Sequence, residues 1–289
     1  MRQPFTVTPL RLPRTPGAAA PPSVIDRLVG IIAYGTVKSP GNDVNHTDRR
    51  HTQTEHEYAA TDLETMQEAR RYGEHLFNLF RGHIGKRVLE VGCGIGTMSQ
   101  RLLSVADDVV AIEPNRYCAD RTREVLGTHP RFTMHECLLE ECDRSELESH
   151  QFDTVYCSNV LEHIADDVAA LRTFRDVIVP GGKVLIFVPA IPAAYGPLDA
   201  ELGHHRRYTK STLGKAFADA GLPLISLRYT NPIGLLGWMF NARVTKSTAH
   251  SRTHVRVFDN LIAPWALPLE SMIAPPIGLS LVAVGMKKR

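Results

Sequence analysis

The stretch Val88-Leu89-Glu90-Val91-Gly92-Cys93-Gly94-Ile95-Gly96-Thr97 decides the fold of this chain. It begins as a short apolar strand that carries an acid, Glu90, and continues as three glycines at alternate positions. Glycine at every second residue removes side chains where a backbone must turn sharply and let a ligand come close. The residues from Thr97 to Leu103 are typical of a helix start, whose free N–H groups favour an anionic group. The stretch therefore predicts a strand, a ligand-binding turn and a helix in succession.

Apolar and polar segments alternate regularly on both sides of this stretch. The patterns predict helices at 61–80, 97–105, 115–126, 166–179 and 212–220, and strands at 88–91, 108–112, 132–135, 152–157, 183–189, 224–229 and 279–286. Thr61 and Glu64 form a capping-box pattern at the first helix. Pro180-Gly181-Gly182 predicts a turn before the fifth strand. Alternating strands and helices predict an α/β fold with a parallel sheet and helices on both faces.

Composition and charge limit the class of protein. The chain has 289 residues, of which 43% are hydrophobic and 22% charged, as is ordinary for a soluble globular protein. A net charge of +2 gives no reason to expect nucleic acid as a partner. No uncharged apolar run is long enough to span a membrane.

The cysteine pattern predicts the redox environment. No two cysteines form a Cys-x-x-Cys pair, and several lie in apolar runs; they are Cys93, Cys118, Cys137, Cys142 and Cys157. We therefore expect free thiols in a reducing cytosol, and a cytoplasmic location.

Shifts in composition divide the chain into five segments. Residues 1–24 are rich in proline and arginine and predict a disordered leader without an export signal. Residues 25–86 predict an N-terminal helical segment or lid, and 87–230 the α/β core. Residues 231–277 are apolar and predict a cap, after which 278–289 supply the last strand of the core.

Further motifs lie at the ends of the predicted strands. The second strand ends in Glu113, the third precedes His135-Glu136-Cys137-Leu138, and the fourth precedes Ser158-Asn159-Val160-Leu161-Glu162-His163-Ile164. Pro180-Gly181-Gly182-Lys183-Val184-Leu185 covers the start of the fifth. Together with the Gly-x-Gly-x-Gly turn, these landmarks resemble class I S-adenosylmethionine (SAM) dependent methyltransferases of the small-molecule type. The resemblance covers residues 61–229 and the final strand.

This resemblance implies a fold and a cofactor. The fold is a doubly wound, mostly parallel seven-stranded sheet with an antiparallel last strand, an N-terminal helical extension and an apolar cap insert before the last strand. The cofactor is SAM, with Glu113 and Pro114 at its ribose, where an acid can accept hydrogen bonds from the hydroxyls. Glu136 and Cys137 fall at the adenine, in place of the family's usual aspartate. The remaining positions are the glycine turn and the methionine end, namely Glu90, Gly92, Cys93, Gly94, Gly96, Thr97, Ser158 and Asn159.

A cationic loop follows the fifth strand and predicts a substrate site. Arg206 and Arg207 suit a carboxylate or phosphate, because the guanidinium group binds such groups with two hydrogen bonds. The other candidate substrate residues in this loop are Tyr195, His204 and Tyr208. The alternative is a solvated basic loop in which Thr209 or Ser211 caps the following helix.

The apolar segment 231–277 allows three interpretations. It packs as plain core, or lines a substrate pocket with Trp238, or contacts a membrane surface or a second subunit. Its prolines and the charge of Glu270 exclude a membrane-spanning helix. An apolar cap beside a cationic loop predicts an amphiphilic substrate with an acidic head group.

Candidate proton acceptors are Glu162, His163 and His205, because carboxylates and imidazoles are the usual general bases. Tyr195 and His204 are further candidates, and an ionised acceptor would need no base. No metal site is expected, because Asp199, His204 and His205 lack a recognised ligand spacing. Mg²⁺ is expected only if the substrate is a diphosphate.

The sequence thus predicts a SAM-dependent methyltransferase that O-methylates a small molecule. The alternative is C-methylation of an alkene in a prenyl diphosphate. A nucleic-acid methyltransferase is disfavoured, because Ser158-Asn159-Val160-Leu161 stands where base-modifying enzymes carry Asn-Pro-Pro-Tyr or a similar motif. A dinucleotide-dependent oxidoreductase would need glycine at position 97, and an intact glycine turn argues against a non-catalytic subunit. The acceptor atom and the oligomeric state stay open.

Overall fold

A computed structural model describes residues 63–240 and 252–289 of the chain. The predicted leader at 1–24, the first part of the N-terminal segment and the Thr61 cap lie outside the described residues. So does part of the predicted apolar cap, residues 241–251.

Seven strands form one mixed sheet in the order β3-β2-β1-β4-β5-β7-β6. The first five strands run parallel, and β7 pairs antiparallel with both β5 and β6. This arrangement confirms the predicted sheet and its antiparallel last strand. The strands are β1 (Arg87–Val91), β2 (Asp108–Ile112), β3 (Phe132–His135), β4 (Phe152–Ser158), β5 (Ile178–Pro189), β6 (Leu224–Thr230) and β7 (Ser280–Met286).

Helices cover both faces of the sheet, because its buried side chains alternate between two apolar layers. One layer holds α1 and the cap helices, and the other holds α4, α5 and α7. The helices are α1 (Arg70–Phe80), α2 (Thr97–Leu102), α3 (Arg116–Leu126), α4 (Arg144–Ser149), α5 (Asp167–Val177), α6 (Pro197–Glu201), α7 (Lys210–Asp219), α8 (Pro232–Phe240), α9 (Arg252–Val257) and α10 (Ala263–Met272). A π-helical turn, Phe258–Ile262, joins α9 to α10.

The predicted helix 61–80 is broken in the structure. Residues 63–67 are helical, the chain leaves the helix at Ala69, and α1 then begins. The carboxylate of Asp259 accepts hydrogen bonds from the backbone N–H of Arg71 at 3.2 Å and of Tyr72 at 3.0 Å. A residue from the distant cap therefore caps α1, which no local pattern in the sequence could indicate.

The predicted turn at Pro180-Gly181-Gly182 lies inside a strand. β5 begins at Ile178, and its pairing with β4 shifts register between Phe152 and Thr154. Gly181 has a φ of 83°, so the extra residues form a bulge that only glycine tolerates easily.

The expectation of five free thiols is wrong for two of them. Cys137 and Cys142 form a disulfide, with 6.0 Å between their Cα atoms. The turn between them folds back because the backbone N–H of Cys142 donates to the carbonyl of Leu138. Cys93, Cys118 and Cys157 are free and buried.

No helix within the described ranges has the length and apolar character needed to cross a bilayer.

Candidate active site

A cleft of about 970 Å³, counted out to its open mouth, lies at the carboxyl ends of β1, β2 and β4. In parallel α/β sheets this edge is where ligands bind. The glycine turn forms its floor, and the loop after β4 forms one wall. Residues of the N-terminal segment, including Leu63, Met66 and Leu76, also line it. The lining of the cleft therefore includes apolar side chains from outside the α/β core.

The glycine turn needs glycine for its backbone conformation. Gly92, Gly94 and Gly96 have φ values of 75°, 55° and 77°, in the left-handed region. At Gly92 a Cβ would also lie 2.2 Å from Cγ2 of Val160, on the loop after β4. At Gly92 the glycine turn and the loop after β4 therefore lie too close together for any side chain at position 92.

Glu113 ties the turn to the end of β2. It is buried, and its two carboxylate oxygens accept hydrogen bonds from the backbone N–H of Gly94 at 2.8 Å and of Asn115 at 2.9 Å. Burial raises the pKa of Glu113, and these two hydrogen bonds oppose the rise. Each oxygen keeps a further lone pair, and the residue lines the cleft. The side chain can therefore accept hydrogen bonds from a ligand while holding the turn.

Glu90 lies beneath the turn. Its Oε2 accepts a hydrogen bond from the hydroxyl of Ser99 at 2.5 Å. Burial raises the pKa of Glu90 to about 8, although the Ser99 hydrogen bond opposes this and the charge of Glu113 adds to it. Ser99, on α2, is a site residue that the sequence motifs did not indicate.

Asn159 presents an unused donor to the cleft. It has a φ of 51°, its side chain is buried, and its Nδ2 has no hydrogen-bond partner among the residues that the structure describes. Asn159 and its neighbour Ser158 both line the cleft. A buried amide without a partner is costly unless a ligand accepts its hydrogen bond.

The cleft brings together eight of the twelve predicted cofactor residues, and the other four lie outside its lining: Gly96, Pro114, Glu136 and Cys137. Glu136 binds Arg123 at 2.8 Å, and Cys137 is locked in its disulfide. Both line a separate surface cleft with the segment before α4. The proposed adenine contacts of Glu136 and Cys137 therefore find no support in the geometry.

The cationic loop has internal partners for both arginines. Arg207 is only 4% exposed, donates to Asp199 at 2.8 Å and stacks on Trp238 with its guanidinium 4.3 Å from the ring centre. Arg206 instead pairs with Asp167 at 3.1 Å. The two guanidinium groups therefore serve different carboxylates, which argues against the predicted anion clamp. Arg207 is a buried ion-pair partner because Asp199 lies beside it in the fold.

The remaining loop residues are also held internally. The hydroxyl of Tyr195 donates to the carbonyl of His204 at 2.8 Å, and that of Tyr208 donates to Asp167 at 2.9 Å. Thr209 caps α7 by accepting from the backbone N–H of Thr212. His205 is exposed. Thr209 thus caps the next helix, as the alternative expected, but the loop is not solvated, because His204, Arg207 and Tyr208 are buried.

Trp238 packs in the core and does not line the cleft. It is buried, and its Nε1 donates to the carbonyl of Ala194 at 2.8 Å. The inner face of the cap joins the same apolar layer. Its outer face leaves large side chains exposed, among them Trp265 at 81%. The cap is therefore core on one side and an open apolar surface on the other.

A buried polar cluster lies directly after the cleft wall. Glu162 and His163 belong to the 3-10 turn after β4, and His204 comes from the loop after α6. The Nδ1 of His204 lies 2.8 Å from Oδ1 of Asp199. Asp199, which sequence analysis considered only as a weak metal ligand, therefore connects His204 to Arg207.

Burial shifts the pKa values in this cluster. It raises the pKa of Glu162 to about 7, although the positive charges of His204 and Arg207 oppose the rise. Burial, assisted by His204, lowers the pKa of His163 to about 3. Burial alone would raise the pKa of Asp199, but its bonds to His204 and Arg207 outweigh this and lower it. At neutral pH the cluster thus holds a neutral His163 between a titrating and an ionised carboxyl group.

The sheet order and the glycine cleft define a class I methyltransferase fold. A family model described as a methyltransferase domain matches residues 53–227, which is more than half of the chain. The chain belongs to this methyltransferase family, and the resemblance inferred from the motifs is confirmed.

Individual relatives match over shorter stretches. The ubiquinone biosynthesis O-methyltransferase of Aeromonas salmonicida is 30% identical over 111 residues, 36% of this chain and 44% of that protein. The protein of the same name from Neisseria meningitidis is 33% identical over 105 residues. This match covers 35% of this chain and 42% of that protein. The chain thus matches less than half the length of these relatives. The structure of a Bacillus halodurans methyltransferase superposes on 74% of this chain and 99% of that protein, with a TM-score of 0.50. The sequence identity is 17%, so this similarity supports the fold alone.

Proposed function

We propose that this protein transfers a methyl group from SAM to a hydroxyl oxygen of a small molecule. The observation that carries the proposal is the cleft at the glycine turn, which Glu113 and Asn159 line. The O-methyltransferase names of the relatives support oxygen as the acceptor, within the limited length that they match.

The lining of the cleft suits SAM at three points. The left-handed glycines leave backbone exposed where a side chain would otherwise fill the space. Glu113 offers free lone pairs to the ribose hydroxyls, and the amide of Asn159 offers a donor to the carboxylate at the methionine end. When bound there, SAM would supply a methyl group on a positively charged sulfur. A hydroxyl oxygen would bond to the methyl carbon as the carbon–sulfur bond breaks, and the neutral thioether S-adenosylhomocysteine would leave.

The chain itself contributes mainly position and exclusion of water. Met66 and Leu76 line the cleft from the N-terminal segment, and these apolar side chains would limit the access of water to the reacting groups. Alignment of two reactants can account for roughly 7–11 kcal/mol of a reaction barrier. The hydroxyl proton must also leave, and the candidate acceptors Glu162 and His163 lie two and three residues after the cleft-lining Val160. Glu162 suits this role better than His163, because the pKa of Glu162 is about 7 and that of His163 about 3.

The substrate that this arrangement favours has an apolar body. The apolar side chains that line the cleft, such as Met66 and Leu76, would contact such an apolar body. The exposed apolar face of the cap around Trp265 supports contact with lipid-like molecules or a membrane surface. An acidic head group and a prenyl diphosphate both relied on Arg206 and Arg207 as free cations. Because both arginines are engaged by carboxylates, we retain an amphiphilic alcohol or phenol as the substrate class.

The proposal predicts the position of the methyl group. We expect SAM with an isotopically labelled methyl to label alkyl-substituted phenols and catechols at oxygen, detected by mass spectrometry. Carboxylic acids and prenyl diphosphates serve as competing acceptors in the same mixture. Transfer to carbon, or to carboxylates in preference to hydroxyls, would contradict O-methylation of a neutral hydroxyl.

Glu113→Ala tests the cofactor site independently of the acceptor. Loss of charge-assisted hydrogen bonds of about 1.5–3 kcal/mol should weaken SAM binding roughly tenfold to 100-fold in calorimetry. Glu136→Ala is the matched control, because Glu136 binds Arg123 outside the cleft. If both variants lose SAM affinity equally, Glu113 has no specific contact with SAM, and the adenosine end of SAM does not bind at the glycine turn.

A further inference from the structure

We propose that Glu162, His163 and His204 form a binding site for a divalent transition metal ion, of the kind that holds zinc, next to the cofactor cleft. Each residue offers one ligand atom, and the three atoms lie within 4.8 Å of one another. The ligands come from two segments that are far apart in sequence, the turn after β4 and the loop after α6. No ligand spacing along the sequence could therefore indicate the site.

The buried side chain of Glu162 independently indicates a cation-binding site. Its side chain is 0% exposed, and neither carboxylate oxygen has a hydrogen-bond partner on another residue in the described part of the chain. A buried carboxylate without a partner is strongly unfavourable, and such groups are normally paired or bound to a metal. Arg207 forms its ion pair with the neighbouring Asp199 at 2.8 Å, and within the described residues it makes no hydrogen bond to Glu162. Glu162 is thus the carboxylate of this cluster that remains available to a metal.

His204 is oriented as metal-binding histidines usually are. Its Nδ1 is hydrogen-bonded to Asp199, so Nε2 is the ring nitrogen that would bind the metal. Asp199 is fixed in turn by Arg207 and by the backbone N–H of Gly196, each at 2.8 Å. A carboxylate behind a histidine ligand sets the ring orientation and strengthens the nitrogen as a donor.

The ligand types select the metal. Two imidazoles and one carboxylate hold catalytic zinc in other proteins and leave a fourth position open. Magnesium prefers oxygen ligands, so it fits this set poorly. Ligand atoms around tetrahedral zinc lie about 3.4 Å apart for bonds of about 2.1 Å, so modest side-chain rotations would close the site. With a metal bound, Glu162 would be a ligand and not a base. The metal would instead lower the pKa of a hydroxyl that coordinates it, and the proton would leave through the open mouth of the cleft; this role, unlike the site itself, rests on the proposed function.

Direct metal titration of the full chain tests the site without any methyl transfer. After removal of bound metal with a chelator, we expect one equivalent of Co²⁺ to give the visible spectrum of a tetrahedral nitrogen–oxygen site. Zn²⁺ should displace the Co²⁺, and Mg²⁺ should not. Glu162→Gln, His163→Gln and His204→Gln should each weaken Co²⁺ binding at least 100-fold, and Asp199→Asn tenfold to 100-fold. Circular dichroism and SAM binding of each variant show whether the fold and the cofactor site persist.

His205→Gln is the matched control, because it removes an exposed histidine next to His204 and should leave Co²⁺ affinity unchanged. A variant with glutamine at His46, His51 and His56 excludes binding by that histidine-rich segment and should also keep the affinity. The proposal is overturned if the parent binds no Co²⁺, or if folded variants of the three ligands bind it as the parent does. Failure of methyl transfer with metal binding intact would count against the proposed function alone.

Discussion

Replacement of Gly92 by alanine is expected to weaken SAM binding about 30-fold or more, measured by calorimetry on the folded variant. Two costs combine at this position. The left-handed backbone, with a φ of 75°, costs a residue with a Cβ about 1–2 kcal/mol. The new Cβ would also lie 2.2 Å from Cγ2 of Val160, an overlap of the kind that typically costs about 1–3 kcal/mol.

The overlap would distort the cleft because the side chain of Val160 cannot move out of the way. Valine has a stiff, branched side chain, so its Cγ2 cannot swing away as the end of a leucine can. Relief requires the backbone of the glycine turn or of the loop after β4 to move, and both line the cleft. At Gly94 the added Cβ meets only the end of the Leu63 side chain, at 3.3 Å. Gly94→Ala should therefore weaken SAM binding less than Gly92→Ala does.

Gly82→Ala is the control, because a Cβ there meets nothing within 4 Å. It should keep parental SAM affinity and parental stability. If Gly92→Ala folds and binds SAM within a factor of three of the parent, the glycine turn does not hold the cofactor, and the cleft must be reassigned.

The sequence predicted the sheet well because its signals are local. The central strands β1, β2 and β4 are short, largely apolar runs, and the glycine turn and Glu113 lie where β1 and β2 end. Alternation of strands and helices then leaves few possible topologies. The break at Ala69 was not predictable, because the carboxylate that caps α1 belongs to Asp259, near the other end of the chain.

The candidate site was predictable where the ligand meets backbone, and not where side chains meet each other. Glycines in the turn and acids at strand ends can be recognised as ligand-binding residues from their positions in the sequence alone. The arginines of the loop after β5 looked like free cations, because their partners Asp167 and Asp199 are set by tertiary packing. The grouping of Glu162 with His204 is hidden in the same way. Buried charge pairs are therefore the features that sequence analysis assigns to ligands in error.

Asp199→Ala is expected to lower the free energy of unfolding by about 3–5 kcal/mol, because removal of one partner leaves the buried Arg207 without a counter-charge. Asp199 is fully buried and accepts hydrogen bonds from Arg207, His204 and Gly196. Urea denaturation of the variant and the parent gives the difference directly. Asp120→Ala, at an exposed ion pair with Arg123, should cost less than about 1 kcal/mol.

A double variant separates the unpaired charge from lost packing. In Asp199→Ala with Arg207→Met, the lone cation is gone and an apolar chain still covers Trp238, so most of the lost stability should return. If Asp199→Ala alone is as stable as the parent, Arg207 has solvent or another anion as its partner. In that case the arginine would again be available to a substrate, and the cationic loop would regain the role that its sequence suggested. Recovery in the double variant would instead show that Arg207 serves the fold through its ion pair with Asp199, so that its charge is not available to a substrate.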